Sequence, residues 1–298
     1  TTEIYTLSLH DALPIWVAHL AAVRALVRLV ESFPEFYEKM SLHVSGEAGN
    51  KIPDVLDQAI WEAEYYRTQM QNPVTGGVSG GIETTCHPRF GESSCDNAQT
   101  WFQYRKDPWT SFLYSGTAAQ LAVVLSKYDT DLSSKYSQSA LAAWRYGVVH
   151  RADPVSGPSE LQAGYAAALG DSENLAAVML YKLFPGNSTF HSRFLATSVC
   201  PQYSIMDGHN QLDATTEYLR LPNSITNSTM RSLCQTSMDV LRIAFTNSLT
   251  LTAYPLGMPD FMPGLQPSAP PSLQFSGNAL LASANSTWLD LALLKEIG

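Results

Sequence analysis

SFLYSGTAAQLAVVLSK, residues 111–127, decides the fold class. Phe112, Leu113, Ala118, Ala119, Leu121, Ala122, Val123, Val124 and Leu125 fall on nearly every side of a helical wheel. A helix that is apolar all round is stable only where other elements cover most of its surface. The segment is therefore predicted to be the interior helix of a larger helical assembly. Its neighbours have the right pattern to cover it. Residues 16–32 carry Val17, Leu20, Val23, Leu26, Val27 and Val30 as one stripe. Residues 53–71 carry Val55, Leu56, Ala59, Ile60, Ala63 and Met70 at helical spacing. Pro53 suits a first helical turn, where its missing N–H costs nothing, and Asp54 and Asp57 stand where the helix dipole favours negative charge. Further helices are predicted over 132–149, 173–184, 211–219, 227–246 and 276–297.

Strand signals are scarce. The Gly-rich run 74–82 is expected to be a loop or a short hairpin, and the Pro-rich run 254–271 a long irregular loop. Long loops in a compact domain often carry function. No linker separates two compositions, so one all-α domain is expected. About eight helices joined by long loops fit an α/α-type assembly better than a four-helix bundle, whose connections are short.

The chain has 298 residues, 45% of them hydrophobic, enough to bury a sizeable core. Its net charge of −9 argues against a general nucleic-acid binder, which needs a basic footprint. No apolar run approaches the ~20 residues that span a bilayer. Cys86, Cys95, Cys200 and Cys234 form no C-x-x-C pair, which disfavours a zinc ribbon or thioredoxin-type site. Two bridges, Cys86–Cys95 and Cys200–Cys234, are one reading; four buried thiols are the other. Glycosylation sequons begin at Asn187, Asn227 and Asn285, and with an even cysteine count they point to a secreted, extracellular protein. All three asparagines are then expected on the surface, Asn285 least clearly, since it lies in a predicted amphipathic helix.

Residues 1–15, TTEIYTLSLHDALPI, read as a translated sequencing adapter. They are expected to be foreign to the fold, with natural sequence over 16–298.

SLHVSGEAGNKIPDVLDQAIWEAEYYRTQMQNPVTGGVSGGIE, residues 41–83, resembles glycoside hydrolase family 9, the endoglucanase and cellulase family. Glu47, Gly49, Asn50, Ile52, Pro53, Asp54, Leu56 and Asp57 match its pattern, as do Met70, Gln71, Gly76, Gly77 and Val78. Ala48 and Gln58 stand where the family usually has Ser and Glu. HPRFGESS (87–94), DPWTS (107–111), ENLAAVMLYKLFPGN (173–187) and QFSGNALLASA (274–284) are similar to later family segments, with Ser94 and Phe275 in place of Trp. The resemblance implies an incomplete (α/α)6 toroid of six-hairpin glycosidase type. It also implies hydrolysis of β-1,4-glucosidic bonds in cellulose or related β-glucans, with inversion.

Inversion needs an ionised carboxylate to take a proton from water and a protonated one to donate to the leaving oxygen, about 6.5–9.5 Å apart. The resemblance places the base in an Asp-Ala-Gly-Asp type motif ahead of Trp16 and the acid in an Asn-Glu segment after Gly298. Neither motif occurs in the chain. A fragment lacking both ends, inactive by itself, is therefore expected. Among visible residues, the resemblance makes His87 the leading substrate contact, since neutral imidazole both donates and accepts hydrogen bonds. Glu92 and Glu83 flank the same loop, Trp109 follows Asp-Pro, and Phe275 replaces a Trp that would stack on sugar; core burial is the competing role for Phe275. His150, His191 and His209 stand alone in sequence, with no metal-like cluster, and no Gly-x-Ser-x-Gly elbow supports a serine nucleophile. No cofactor is expected for the reaction; a structural calcium stays open. The expected partner is a β-glucan polysaccharide bound by a monomer. The competing reading is a helical carbohydrate-binding or structural protein that kept the toroid without catalysis.

Overall fold

A computed structural model describes residues 19–43, 50–84, 101–153, 159–202 and 210–251. The chain divides into two compact units, Thr1–Thr197 and Ser198–Gly298. The described residues are mainly helical, as the all-α reading requires. Residues 1–15, Cys86, Cys95, the run 254–271, Asn285 and the predicted helix 276–297 lie outside them.

In the first unit the helices are α1 (His19–Ser32), α2 (Pro34–Tyr37), α3 (Asp54–Tyr65), α4 (Pro108–Leu125), α5 (Thr130–His150), α6 (Ser159–Leu183) and α7 (Ser188–Thr197). Helix α4 is the interior element that its composition demands. Only Trp109 and Val123 escape full burial along it. It packs most extensively on α5 and α6, and also on α1. Two close approaches make this possible. A Cβ at Gly147 of α5 would lie 2.7 Å from the Phe112 ring of α4, and one at Gly116 of α4 would lie 3.2 Å from the Ala176 backbone of α6. Fully burying a side chain such as Phe112 or Leu121 contributes roughly 1.5–3 kcal/mol. Helix α4 starts three residues before the predicted span. The Asp107 carboxylate accepts from the Thr110 N–H at 2.8 Å, and Pro108 occupies the first turn.

Helix α1 lays Leu20, Val23, Val27 and Val30 into the core. Arg24 is also buried, and its Nη1 donates to Thr117 Oγ1 of α4 across 3.5 Å. Lys182 of α6 pairs with Glu31 of α1. Helix α3 ends in a π-helical turn, Tyr66–Met70, with Tyr66 and Met70 both buried.

Three expectations need correction. The predicted helix 173–184 is only the second half of α6, which begins at Ser159. In the first half, a Cβ at Gly170 would meet nothing within 4 Å, so that glycine is a tolerated helical residue. The run 74–82 is neither a plain loop nor a hairpin. It supplies β1 (Val78–Ser79) and β2 (Ile82–Thr84), which pair antiparallel with β4 (Lys106–Asp107) and β3 (Trp101–Gln103). Helix α7 was not foreseen; its ten residues STFHSRFLAT bury only Phe190 and Phe194, a weak apolar signal.

The second unit contains a 3-10 turn, Cys200–Gln202, then α8 (Gln211–Arg220) and α9 (Ser228–Leu251). Cys200 is bonded to Cys234 of α9, with the Cα atoms 4.8 Å apart, inside the range a disulfide requires. Ser237 Oγ donates to the Cys200 carbonyl at 3.0 Å, which seats the turn on α9 a second time. The Asn227 N–H donates to Tyr218 Oη at 2.7 Å, tying the start of α9 to α8.

Candidate functional site

Two of the family-like motifs, Gly-Gly-Val and Asp-Pro-Trp, meet at one end of the first unit, together with a glycine turn, two short ladders, the start of α4 and the end of α5. Asn72 builds the turn. Its Oδ1 accepts from the Val74 and Thr75 N–H groups, both at 2.9 Å, and its carbonyl accepts from the Gly76 N–H at 2.8 Å. Gly76 has φ +80°, a left-handed conformation that disfavours a side chain, and its Cβ would fall 2.3 Å from the Ala142 carbonyl oxygen. At Gly77 a Cβ would fall 2.6 Å from the Tyr146 ring. The two glycines thus let the turn lie directly on α5.

Gln71 fastens the base of the turn. Its Nε2 donates to the Gly76 carbonyl at 3.2 Å and the Ser139 carbonyl at 3.0 Å. Ser139 Oγ donates to Gln71 Oε1 at 2.5 Å and lies 2.8 Å from Tyr114 Oη. Burial pushes the Tyr114, Tyr136 and Tyr66 phenols up, so all three stay neutral. The Tyr136 Oη donates to Glu64 Oε2 at 3.1 Å, and Glu64 also pairs with Arg67, which together hold its carboxyl below the ordinary range.

Val78 then pairs with Asp107, and its N–H donates to Ser111 Oγ at 3.0 Å. Ser111 Oγ donates in turn to the Asp107 carbonyl at 2.6 Å. The Gly-Gly-Val and Asp-Pro-Trp motifs, far apart in sequence, are hydrogen-bonded neighbours. Asp107 also accepts from Thr110 Oγ1 at 2.8 Å. Burial nonetheless raises its pKa above the ordinary value, the Thr110 bonds opposing that shift.

At the same end, Tyr146 Oη donates to the Lys106 carbonyl at 3.3 Å. The Tyr146 ring lies 4.1 Å from the His150 ring, and His150 Nδ1 is 2.8 Å from Asp153 Oδ2. This Tyr–His–Asp group is half-exposed, beside the cap of α4. Sequence reading left His150 solitary. The signal was present as Tyr146-x-x-x-His150-x-x-Asp153, spacing that stacks the first two on one helical face.

Trp109 is half-buried in the first turn of α4, at this end and outside the helix's buried length. Glu83 is on β2, in register with Phe102. His87, Glu92 and Phe275 lie outside the described residues. Asp54 and Asp57 do stand in the first turn of α3, but the preceding loop holds their carboxylates. Asp54 accepts from the Leu42 N–H at 2.7 Å, and Asp57 from Asn50 Nδ2 at 2.7 Å. Burial raises the Asp57 pKa. His191 stacks on Tyr181 with ring centroids 4.6 Å apart, and burial lowers its pKa. Among the described residues no group of three or more His, Cys, Asp or Glu side chains is arranged to hold a metal ion.

Endoglucanase C of Cellulomonas fimi is 28% identical over 129 residues, 43% of this chain and 12% of that protein. In fold, the chain is similar to a single-mutant thermostable endoglucanase from Alicyclobacillus acidocaldarius, with TM-score 0.72 and 20% identity over 94% of this chain and 51% of the other. AaCel9A in complex with cellobiose-like isofagomine gives 0.71 and 20% over the same shares, 94% and 51%. A GH9 protein of Bacteroides ovatus gives 0.63 and 18%, over 82% of this chain and 46% of that one. The chain therefore spans about half the length of these structures (51%, 51% and 46%). Their likeness places the fold in the (α/α)6 class. The family model described as glycosyl hydrolase family 9 matches residues 13–233, most of the chain. With the Gly-Gly-Val turn and the Asp-Pro-Trp cap joined as described, the chain belongs to glycosyl hydrolase family 9.

Proposed function

We propose that the protein containing this chain hydrolyses β-1,4-glucosidic bonds of cellulose or a related β-glucan, with inversion, outside the cell. The match to family 9 over residues 13–233 carries the reading. The endoglucanase names of the relatives support the substrate class. Among the described residues no helix is long and apolar enough to cross a membrane, and the exposed Asn187 and Asn227 sequons and the Cys200–Cys234 bond fit an extracellular protein.

In this reading the glycine-turn end of the first unit is one wall of the glucan groove. Trp109, His87, Glu92 and Phe275 contact sugar, by ring stacking or by hydrogen bonds to hydroxyls. The base and acid come from the Asp-Ala-Gly-Asp and Asn-Glu motifs, which residues 1–298 do not contain. The chain alone then binds glucan without turning it over, since general acid and base catalysis typically contribute ~10²–10⁴-fold each.

The test compares residues 16–298 with a longer form carrying both flanking motifs, on a soluble β-glucan. Turnover by the longer form alone is expected. Turnover by residues 16–298 would move the chemistry to a pair within them, with Glu83 and Glu92 first in line. Binding without turnover by both forms would favour the non-catalytic carbohydrate-binding reading. Trp109→Ala is expected to weaken glucan binding with no loss of folded structure.

A further inference from the structure

Two sequons sit at helix starts with their asparagines already oriented. Asn187 precedes α7, and its Oδ1 accepts from the Thr189 N–H at 3.1 Å. Asn227 precedes α9, and its Oδ1 accepts from the Met230 N–H at 2.9 Å. Both residues are exposed, as are Ser188, Thr189, Ser228 and Thr229 of the same sequons. In each asparagine the carbonyl end of the amide faces the helix and the nitrogen end is left over. Neither Nδ2 donates a hydrogen bond among the described residues. The nitrogen is the atom that N-glycosylation modifies, so the fold uses one end of each amide and leaves the modifiable end unengaged. Asn227 has a second feature. A groove of about 500 Å³ opens beside it, lined by Thr226, Ser228, Arg231, Ser232, Gln235 and Thr236 among others. Its lining mixes apolar surface with hydroxyl, amide and guanidinium groups, the partners that sugar hydroxyls use, although Arg231 Nη1 also donates to the Tyr218 and Leu221 carbonyls at 3.5 and 3.1 Å.

We propose that Asn187 and Asn227 are N-glycosylation sites, and that the first sugars on Asn227 lie in this groove. The proposal rests on the reading that the parent protein is exported. The donor class is an oligosaccharide linked through N-acetylglucosamine to a polyprenyl diphosphate. A bond forms between Nδ2 and the sugar C1 while the C1–O bond to the diphosphate breaks. The diphosphate leaves with the electron pair, and the amide nitrogen gives up one proton. Each amide keeps its carbonyl oxygen and therefore its helix-capping bond, so the glycan adds mass at the helix start without removing the cap.

The experiment expresses the full chain in a eukaryotic secretory host, with a supplied leader and a reporter sequon appended to the C-terminus. Enzymatic deglycosylation in ¹⁸O-water converts each modified asparagine to labelled aspartate, which peptide mass spectrometry reads. Labelled aspartate at 187 and 227 is expected. Thr189→Ala and Thr229→Ala should each remove one glycan and leave both caps in place, so the deglycosylated variants melt with the wild type. N187Q and N227Q should remove the glycan and the cap together and melt lower. Arg231→Ala should leave Asn227 occupied but speed enzymatic removal of its glycan, if the groove holds the first sugars; an unchanged rate would refute that part. A modified reporter with unmodified Asn187 and Asn227 would overturn the proposal. Because the leader is supplied, that result is independent of the parent's own export, which is tested by recovering full-length parent from its medium or its cells.

Discussion

Helices α4 and α9 are both long, yet they are held by different means. Helix α4 is apolar around its circumference and is locked by shape, with neighbouring backbones brought close at Gly116 and Gly147. Helix α9 has a polar face, Ser228, Arg231, Ser232, Gln235 and Thr236, and among its described side chains buries chiefly Met230, Cys234, Ser237 and Met238. It is fastened by a covalent bond at Cys234 and by hydrogen bonds from its first turn. Where burial is large, close packing suffices. Where one face must stay in water, a crosslink acts instead by restricting the unfolded chain.

The largest effect should come from emptying the packed helix. Phe112→Ala removes a fully buried ring that meets Trp144 edge-on at 5.2 Å, and should cost about 3–5 kcal/mol in urea unfolding followed by tryptophan fluorescence. A loss under 1 kcal/mol would mean that α4 is less tightly enclosed than its burial indicates. Replacing both Cys200 and Cys234 by Ala opens a loop of sequence separation 34 and should cost the second unit roughly 3–4 kcal/mol. An equal loss in the first unit, measured by hydrogen exchange, would break the contrast between the two helices.

Gly147→Ala tests shape directly. Alanine gains up to about 1 kcal/mol in helix propensity, but its Cβ would meet a fully buried Phe112 ring at 2.7 Å. Overpacking costs typically 1–3 kcal/mol, so a net loss of about 1–2 kcal/mol is expected; a net gain would show that the ring can retreat.

The smallest effect concerns Asp107. Its folded pKa is raised above 3.8 by burial, so the folded state binds the proton more tightly than the unfolded state. The contribution is fully present below the unfolded pKa and is lost as pH rises through the folded one. Asp107→Asn keeps a capping oxygen and removes the titration. The melting temperature of the wild type relative to the variant should therefore rise as pH falls towards 4. A difference that falls instead would show that the Thr110 hydrogen bonds outweigh burial.

The helices were legible because their apolar spacing is dense. Residues 53–71 and 132–149 fall within a residue or two of the observed elements, aside from the π-helical turn at Tyr66–Met70. The first half of α6 was not legible, since Gly170 has the same appearance in sequence whether it breaks a helix or merely sits in one. The ladders left no trace because strands of two or three residues cannot display alternation, and their partners lie beyond residue 100. At the candidate site, Asp107-Pro108 carries a helix-start signal, the capping preference of Asp and the first-turn preference of Pro, which the predicted span 111–127 did not use. Of the Tyr146–His150–Asp153 group, the first two are legible at i, i+4 spacing, whereas Asp153 is not, because it lies past the helix end, where periodicity stops.

The pairing of Ile82 with Gln103 and of Thr84 with Trp101 has an evolutionary consequence. It clamps together the two points where the chain leaves and rejoins the helical scaffold. The closure entropy of a segment between fixed ends grows only slowly with its length. Residues 85–100 can therefore lengthen, shorten or be exchanged between relatives while the clamp and α4 stay as they are. A segment swap at Thr84 and Trp101 accordingly has two fixed graft points, held in register by the ladder itself.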